Sequence, residues 1–209
     1  MASGEFDAII TKSRPHILEN ICLSLDYNTF KNCLVINEAW KTVLTATAFQ
    51  KKAKLVFREE ILKDEERLRK YSEEGDTDEV RDLLSIGLLD VGCVDKHGGT
   101  PLHWAADNGH SDVVQLLLDG GADPNKEAED GTTALHGAAY HGHKNVVQIL
   151  LNRGADPTKT DQQGRTPMYW AELGGKDGVV NLLKRQSRKR KTTTEKRNGK
   201  EKRRKNMGI

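Results

Sequence analysis

The chain has 209 residues, of which 36% are hydrophobic and 31% are charged, with a formal net charge of +2. No apolar run approaches the ~20 residues that a membrane span needs, and the first residues hold no apolar core of the kind found in signal peptides. The three cysteines, Cys22, Cys33 and Cys93, form no CxxC pair, which favours reduced thiols in an intracellular protein over a disulfide framework.

The small net charge hides two regions of opposite sign. Residues 184–209 hold 13 of the 33 Lys and Arg residues and 2 of the 31 Asp and Glu residues, a net charge of +11. The rest of the chain therefore holds 20 basic and 29 acidic residues, a net charge of −9. The sequence thus predicts an acidic body with a basic tail.

Residues 1–13 are expected to be flexible, and residues 14–49 contain three short apolar clusters with mostly helical spacing. Pro15 suits the first turn of the first helix, and Asp26 suits the cap of the second. Three helices in so short a segment bury too little surface to fold alone, and neither a disulfide nor a metal site is available. We therefore expect this segment to pack on a partner protein or on the next domain.

The same segment resembles an F-box, from its opening Pro-x-x-Leu at Pro15 and Leu18 to the aromatic residue Trp40. The resemblance implies docking of a Skp-type adaptor and, through it, a cullin. The apolar positions that would form this contact are Pro15, Ile17, Leu18, Ile21, Leu25, Leu34, Val35 and Trp40. The alternative is a helical cap that packs on the rest of this chain. Residues 50–65 are predicted to form a charged, amphipathic linker helix.

The remainder of the body is repetitive. The stretch GGTPLHWAADNGHSDVVQLLLDGGAD at residues 98–123 returns at 131–156 as GTTALHGAAYHGHKNVVQILLNRGAD, and again, shortened, from Gly164. Thr100, Thr133 and Thr166 are 33 residues apart. A fixed period of this size is typical of stacked repeats. Each threonine suits the cap of a helix, and each glycine in the NG or HG pair suits a tight turn. Each run of valines and leucines is typical of a helix that is buried between neighbouring repeats.

These motifs resemble the ankyrin repeat, through TPLH/TALH, the paired alanines, the glycine between helices and GADP. The resemblance implies an all-α solenoid of helix-turn-helix repeats with β-hairpin-like loops. We place the repeats at residues 66–97, 98–130, 131–163 and 164–186, where the first is degenerate and the last is truncated. Residues 187–209 are predicted to be a disordered basic tail.

The sequence contains no constellation of catalytic residues, so we expect neither an enzyme nor a cofactor. His103 and His136 are predicted to hydrogen-bond to backbone and so connect neighbouring repeats. The histidines His110, His141 and His143 lie at the inter-helix turns without further ligands in register, which argues against a metal site.

The function must then be recognition of another protein. The resemblance to ankyrin repeats implies that the target binds the hairpin tips and the concave face of the first helices. Carried over by position, these are Lys96, His97, Asp107, Asn108, Glu129, Asp130, Tyr140, His141, Gln162, Gln163, Arg165, Glu172 and Leu173. Trp104 and Trp170 share one helix position two periods apart, where packing within the stack is favoured over a role as interface anchors. The acidic members of the set would attract a basic partner or the chain's own tail.

The basic clusters at the C-terminal end resemble nuclear-import signals, which would bring an importin as a partner. They are Lys184, Arg185, Arg188, Lys189, Arg190, Lys191, Lys202, Arg203, Arg204 and Lys205. Contact with nucleic acid through the tail, or a purely solubilising role, are the alternatives.

Together these features predict the substrate-recognition subunit of a cullin–RING (SCF-type) ubiquitin ligase, which supplies proximity while its partners supply the chemistry. The alternative is a nuclear ankyrin scaffold or regulator whose N-terminal helices only cap the stack.

Overall fold

The computed structural model describes residues 26–29, 53, 55–85 and 87–187, and within these ranges the chain is helical without a β-strand. The helices are α1 (Arg58–Glu74), α2 (Thr77–Ser85), α3 (Pro101–Asp107), α4 (Ser111–Asp119), α5 (Ala134–His141), α6 (Lys144–Asn152) and α7 (Pro167–Leu173). A further helix, α8, follows at residues 177–187. The predicted adaptor-binding residues of the N-terminal segment and the basic clusters after residue 187 lie outside the described residues.

The helices form two layers. Helices α1, α3, α5 and α7 pack in sequence in the first layer, and α2, α4 and α6 pack in sequence in the second. The predicted all-α stack of helix-turn-helix repeats is therefore confirmed. Among the described helices, none is both long and apolar enough to cross a membrane.

The start of each first-layer helix follows from the local sequence. Thr100 is extended, its hydroxyl accepts the backbone N–H of His103 at 3.4 Å, and Pro101 occupies the first turn. Thr133 and Thr166 are extended in the same way before α5 and α7. The predicted threonine caps are thus confirmed at all three positions.

The second-layer helices are apolar on more than one side because each packs between two neighbours and against the first layer. The valine and leucine side chains with no exposed surface in α4 and α6 are Val113, Val114, Leu117, Val146, Val147 and Leu150. Burial of each is worth about 1.5–3 kcal/mol. This row of residues forms the centre of the core, as the sequence predicts for helices enclosed by adjacent repeats.

The turns between the paired helices are also contacts between repeats. Gly109 has φ +78°, and a Cβ atom there would lie 2.5 Å from Nδ1 of His143 in the next repeat. His143 Nε2 donates to the carbonyl of Asp107 at 2.8 Å. One repeat earlier, the ring of His110 packs on Gly75 and bonds to the carbonyl of Glu73 at 2.9 Å. These two histidines therefore connect adjacent turns.

Helix α1 is continuous across the predicted boundary between the linker helix and the first repeat, because residues 65 and 66 both lie inside it. Tyr27, from the N-terminal segment, packs against this helix. Its ring lies 5.4 Å from that of Phe57, and its hydroxyl donates to Asp64 at 2.9 Å. Burial, together with the Asp64 carboxylate, raises the pKa of Tyr27.

The last helix extends further than the repeat pattern predicts. Leu183 is buried in the core, Lys184 forms an ion pair with Glu172 at 3.6 Å, and the Ser187 hydroxyl donates to the Leu183 carbonyl at 3.1 Å. Lys184 and Arg185 consequently lie on a helix and not in the basic tail.

Candidate functional site: the concave groove

The hairpin-like loops before each first-layer helix are fixed by backbone hydrogen bonds. Asp95 donates to Gly99 at 3.0 Å, and Ala128 donates to Thr132 at 2.8 Å. Neighbouring loops are joined in turn, since Glu129 N–H donates to the carbonyl of His97 at 3.0 Å. The tips therefore form one continuous surface beside the first-layer helices.

Two histidines, the half-buried His103 and the buried His136, hold these loops against the helices. His103 Nε2 bonds to the carbonyl of Thr132, and His136 Nε2 bonds to the carbonyl of Arg165, each at 3.2 Å. Their Nδ1 atoms accept the backbone N–H groups of Thr100 and Thr133. Burial lowers the pKa of both imidazoles, which favours neutral rings at pH 7. The predicted role of these histidines as connections between repeats is confirmed.

A groove of about 450 Å³ opens on this surface at the middle of the stack. We call it the concave groove. Trp104 and Trp170 stand at its two ends and Gly137 lies between them, each at the same position of its repeat. The carboxylates that line it belong to Asp95, Asp107, Glu129 and Asp130.

Each indole group is fixed by the hairpin-like loop that precedes its helix. Trp104 Nε1–H donates to Asp95 at 3.0 Å, and Trp170 Nε1–H donates to Asp161 at 2.9 Å. The predicted packing role therefore accounts for the indole N–H groups, while parts of both rings remain on the surface of the groove. The ring of Tyr140 also packs edge-on against Trp170, with centroids 5.8 Å apart.

Asp107 is a half-buried carboxylate of the groove. Its carboxylate leans over Gly137, where an added Cβ atom would overlap Oδ1. Within the described part of the chain, no donor hydrogen-bonds to this carboxylate. Burial raises the pKa of Asp107, an effect that the charges of His141 and His143 partly offset. A partly buried carboxylate without a donor is costly, and a cation from outside would reduce that cost.

Two further carboxylates of the groove, Asp95 and Asp130, are held in the ionised form. Burial opposes ionisation of Asp95, but hydrogen bonds from the backbone of His97 and Gly99 and from Trp104 lower its pKa. Likewise, hydrogen bonds from Thr132 outweigh burial and lower the pKa of Asp130. The concave groove is therefore negatively charged at neutral pH.

The structure brings only part of the predicted target-binding set into this groove, namely His97, Asp107, Glu129 and Asp130. Arg165 instead donates to Asp161 at 2.7 Å and stacks over Trp170, with its guanidinium carbon 4.9 Å from the ring centroid. The remaining predicted residues are exposed outside the lining of the groove: Lys96, Asn108, Tyr140, His141, Gln162, Gln163, Glu172 and Leu173.

Sequence reasoning missed Asp95, Gly137 and Asp161, although a signal for them exists. An Asp and a Trp nine residues apart occur at 95/104 and at 161/170, and the equivalent positions between them are Ala128 and Gly137 instead. The groove lies where this pair is absent.

Neither a reactive thiol nor a metal cluster is present among the described residues. Burial raises the pKa of the Cys93 thiol to about 11, so the thiolate required of a nucleophile is disfavoured at neutral pH. Within the same ranges, no group of three or more His, Cys, Asp or Glu side chains is placed to hold a metal ion.

Comparison with known proteins agrees with this architecture. A family model described as "Ankyrin repeats (3 copies)" matches residues 68–161 and 120–195, together more than half of the chain. The chain is 41% identical over 66 residues to the 2-5A-dependent ribonuclease of Mus musculus, covering 32% of this chain and 9% of that protein. It is 36% identical over 64 residues to acyl-CoA-binding domain-containing protein 6 of Bos taurus, covering 30% and 23%.

Ankyrin repeat domain-containing protein 7 of Homo sapiens is 40% identical over 57 residues, covering 27% of this chain and 22% of that protein. The chain thus spans less than a quarter of the length of each of these relatives. The similarity is therefore one of repeats and not of whole proteins.

Proposed function

Because the chain belongs to the ankyrin-repeat family, whose repeats bind proteins, we propose that it is an adaptor that holds a target protein in the concave groove and along the neighbouring hairpin tips. One observation carries this proposal. The groove places the carboxylate of Asp107, which has no donor among the described residues, between two tryptophans on a rigid repeat stack.

The groove has the composition of an interface and not of an active site. Tryptophans are enriched among the residues that dominate binding energy, and a preformed surface avoids the cost of ordering on association. Fixed hydrogen bonds hold Trp104 and Trp170 before any target arrives. Ankyrin repeats are in general interaction modules, which agrees with an adaptor that has no catalytic residues of its own.

We further propose that the adaptor is the substrate-recognition subunit of an SCF-type ubiquitin ligase. Support comes from the F-box resemblance of residues 14–49 and from its order along the chain, with a segment that would dock an adaptor before a repeat array that would hold a target. The repeats would then present the target to the transfer machinery, and proximity would be this chain's contribution.

The experiment is co-purification of a Skp-type adaptor with the full chain and with a double variant, Ile21→Asp and Leu25→Asp. The ligase proposal predicts that the full chain retains the adaptor and that the variant loses it, with an unchanged melting temperature of the repeats. An absence of adaptor from both samples would overturn it.

A second candidate is a nuclear scaffold in which the N-terminal helices only cap the repeats. The contact of Tyr27 with Phe57 and Asp64 favours this candidate, because it packs part of the N-terminal segment on α1. In that case the double variant would lower the melting temperature of the repeats. Nuclear import by an importin would be lost when the clusters at residues 188–191 and 202–205 are changed to Gln, with fluorescence microscopy of the full chain as the readout.

A further inference from the structure

A complete arginine site lies at the hairpin-like loop that joins the third repeat to the fourth. Asp161 Oδ1 accepts the backbone N–H groups of Gln163 and Arg165, each at 2.9 Å. Asp161 Oδ2 accepts Trp170 Nε1–H at 2.9 Å and Arg165 Nε–H at 2.7 Å. The guanidinium also stacks over the Trp170 ring, 4.9 Å from its centroid.

The loop that joins the first repeat to the second has the same arrangement without the arginine. Asp95 Oδ1 accepts the backbone N–H groups of His97 and Gly99 at 2.7 and 2.9 Å, and Oδ2 accepts Trp104 Nε1–H at 3.0 Å. The residue 66 positions before Arg165 is Gly99, which has no side chain. In the described part of the chain, Asp95 Oδ2 therefore lacks the second donor that Asp161 Oδ2 has.

The vacant position opens into the concave groove. Asp95, Gly99 and Trp104 all line it. In the third repeat, Gly137 replaces the tryptophan that would otherwise stand beside Trp104, and Asp107 leans over that glycine. A side chain from outside can thus reach both the Trp104–Asp95 pair and the Asp107 carboxylate.

We propose that the concave groove binds an arginine side chain from a basic segment of a partner protein. The guanidinium stacks on Trp104 and donates to Asp95 Oδ2, as Arg165 does at Trp170 and Asp161. The carboxylates of Asp107 and Asp130 add negative charge beside it. Arginine is preferred to lysine because its planar group stacks on indole, donates along fixed directions and is more weakly hydrated. The inference rests on the adaptor function proposed above and specifies the chemistry of the target.

The test uses the indole N–H signals of the ¹⁵N-labelled full chain, which has three tryptophans, Trp40, Trp104 and Trp170. The probe is the peptide acetyl-Gly-Gly-Arg-Gly-Gly-amide, with its citrulline and lysine analogues as matched controls. We expect a saturable shift of the Trp104 signal while the Trp40 and Trp170 signals stay fixed. The citrulline peptide lacks the charge, and its affinity should be lower by a factor of roughly ten or more.

Two variants exchange the sites. Gly99→Arg supplies the guanidinium from within and should remove the response of Trp104. The added Cβ atom would lie 2.8 Å from Asp95 Oδ2, so the Asp95 side chain must shift to admit it. Arg165→Gly empties the site at Asp161 and Trp170 and should make Trp170 respond to the peptide. If Gly99→Arg fails to fold, the comparison of Arg165→Gly with the wild-type chain still shows whether an Asp–Trp pair without its own arginine binds the peptide.

A Trp104 signal that ignores the arginine peptide, or that responds equally to citrulline, overturns the inference. A further variant changes the tail arginines Arg188, Arg190, Arg197, Arg203 and Arg204 to Gln. If Trp104 responds only in that variant, the tail of the chain itself fills the site and the partner assignment is wrong. A silent Trp104 with continued co-purification of a protein target overturns the arginine assignment alone, whereas a chain that co-purifies with no protein contradicts the adaptor function.

Discussion

The two ends of the repeats follow the 33-residue period differently. On the turn side, His110 and His143 pack on glycines of the preceding repeat and bond to its carbonyls at 2.9 and 2.8 Å, so one contact recurs along the stack. On the tip side, the Asp–Trp pair occurs at 95/104 and 161/170 and is missing at the equivalent positions, Ala128 and Gly137. Contacts that recur hold the repeats together, while the position that breaks the period forms the groove.

Leu135 occupies a buried position of the recurring pattern, and Leu173 occupies an exposed one. Leu135 has no exposed surface, whereas 61% of Leu173 is exposed. Leu135→Ala should lower the free energy of unfolding by about 2–5 kcal/mol through lost burial and a cavity. Leu173→Ala should change it by no more than about 0.5 kcal/mol. Urea unfolding followed by circular dichroism measures both, and equal losses would contradict the assignment of core and surface.

The histidine contacts offer a matched pair one period apart. His136 has no exposed surface and satisfies the Thr133 N–H and the Arg165 carbonyl, while its counterpart Tyr169 is 49% exposed. His136→Leu leaves the buried Thr133 N–H without its acceptor and removes one of the two bonds to the Arg165 carbonyl, so we expect a loss of about 2–3 kcal/mol. Tyr169→Leu should cost about 0.5 kcal/mol or less. Thermal unfolding of both variants would refute the comparison if the order were reversed.

Of the two aspartates that bind the indole N–H groups, Asp161 should contribute more to stability than Asp95. Asp161 accepts an arginine in addition to the donors that Asp95 has, so Asp161→Asn should cost about 1.5–3 kcal/mol and Asp95→Asn less. Although burial opposes ionisation, the bonds from Arg165 and its neighbours lower the pKa of Asp161 from 3.8 to about 2. The advantage of the wild type over Asp161→Asn is therefore complete above about pH 4 and is lost as the pH falls towards 2.

Calorimetry of both chains at several pH values measures this difference. An advantage that did not change between pH 5 and pH 2 would show that folding does not lower the pKa of Asp161.

A smaller change of stability with pH is expected from His103 and His136, between pH 7.5 and pH 5. Burial lowers the pKa of both in the folded chain, so the unfolded chain takes up protons first as the pH falls through about 6.5. Stability should therefore decrease from pH 7.5 to pH 5. The double variant His103→Gln with His136→Gln should be less stable but show a flatter pH dependence in the same calorimetric series. An unchanged slope would mean that other groups cause it.

Much of the fold is predictable from sequence because its determinants are local and recur. The threonine caps, the glycine turns and the valine and leucine runs each act within one repeat, and the structure has all of them. The contact of α1 with Tyr27 was not predicted, since it joins positions that are far apart in the sequence.

The groove was only partly predictable because it forms where the larger side chains of the equivalent positions are replaced by glycine or alanine. A search for matching positions finds Trp104 and Trp170 but passes over Gly99, Ala128 and Gly137. Arg165 was predicted as a surface contact for a target. Its engagement with Asp161 depends on closure of the hairpin, in which Asp161 N–H donates to the Arg165 carbonyl at 3.0 Å.

We infer that the absence of the Asp–Trp pair at Ala128 and Gly137 creates the binding surface. A double variant, Ala128→Asp with Gly137→Trp, restores the Asp–Trp pair at these positions and fills the groove, provided that the Asp107 side chain turns away. Proteins cross-linked to the wild type and to this variant in cells can be compared by quantitative mass spectrometry, with the thermal unfolding midpoint as the check on folding. We predict that the variant remains folded and that recovery of the main target falls roughly tenfold or more. Undiminished recovery by a folded variant would contradict the claim.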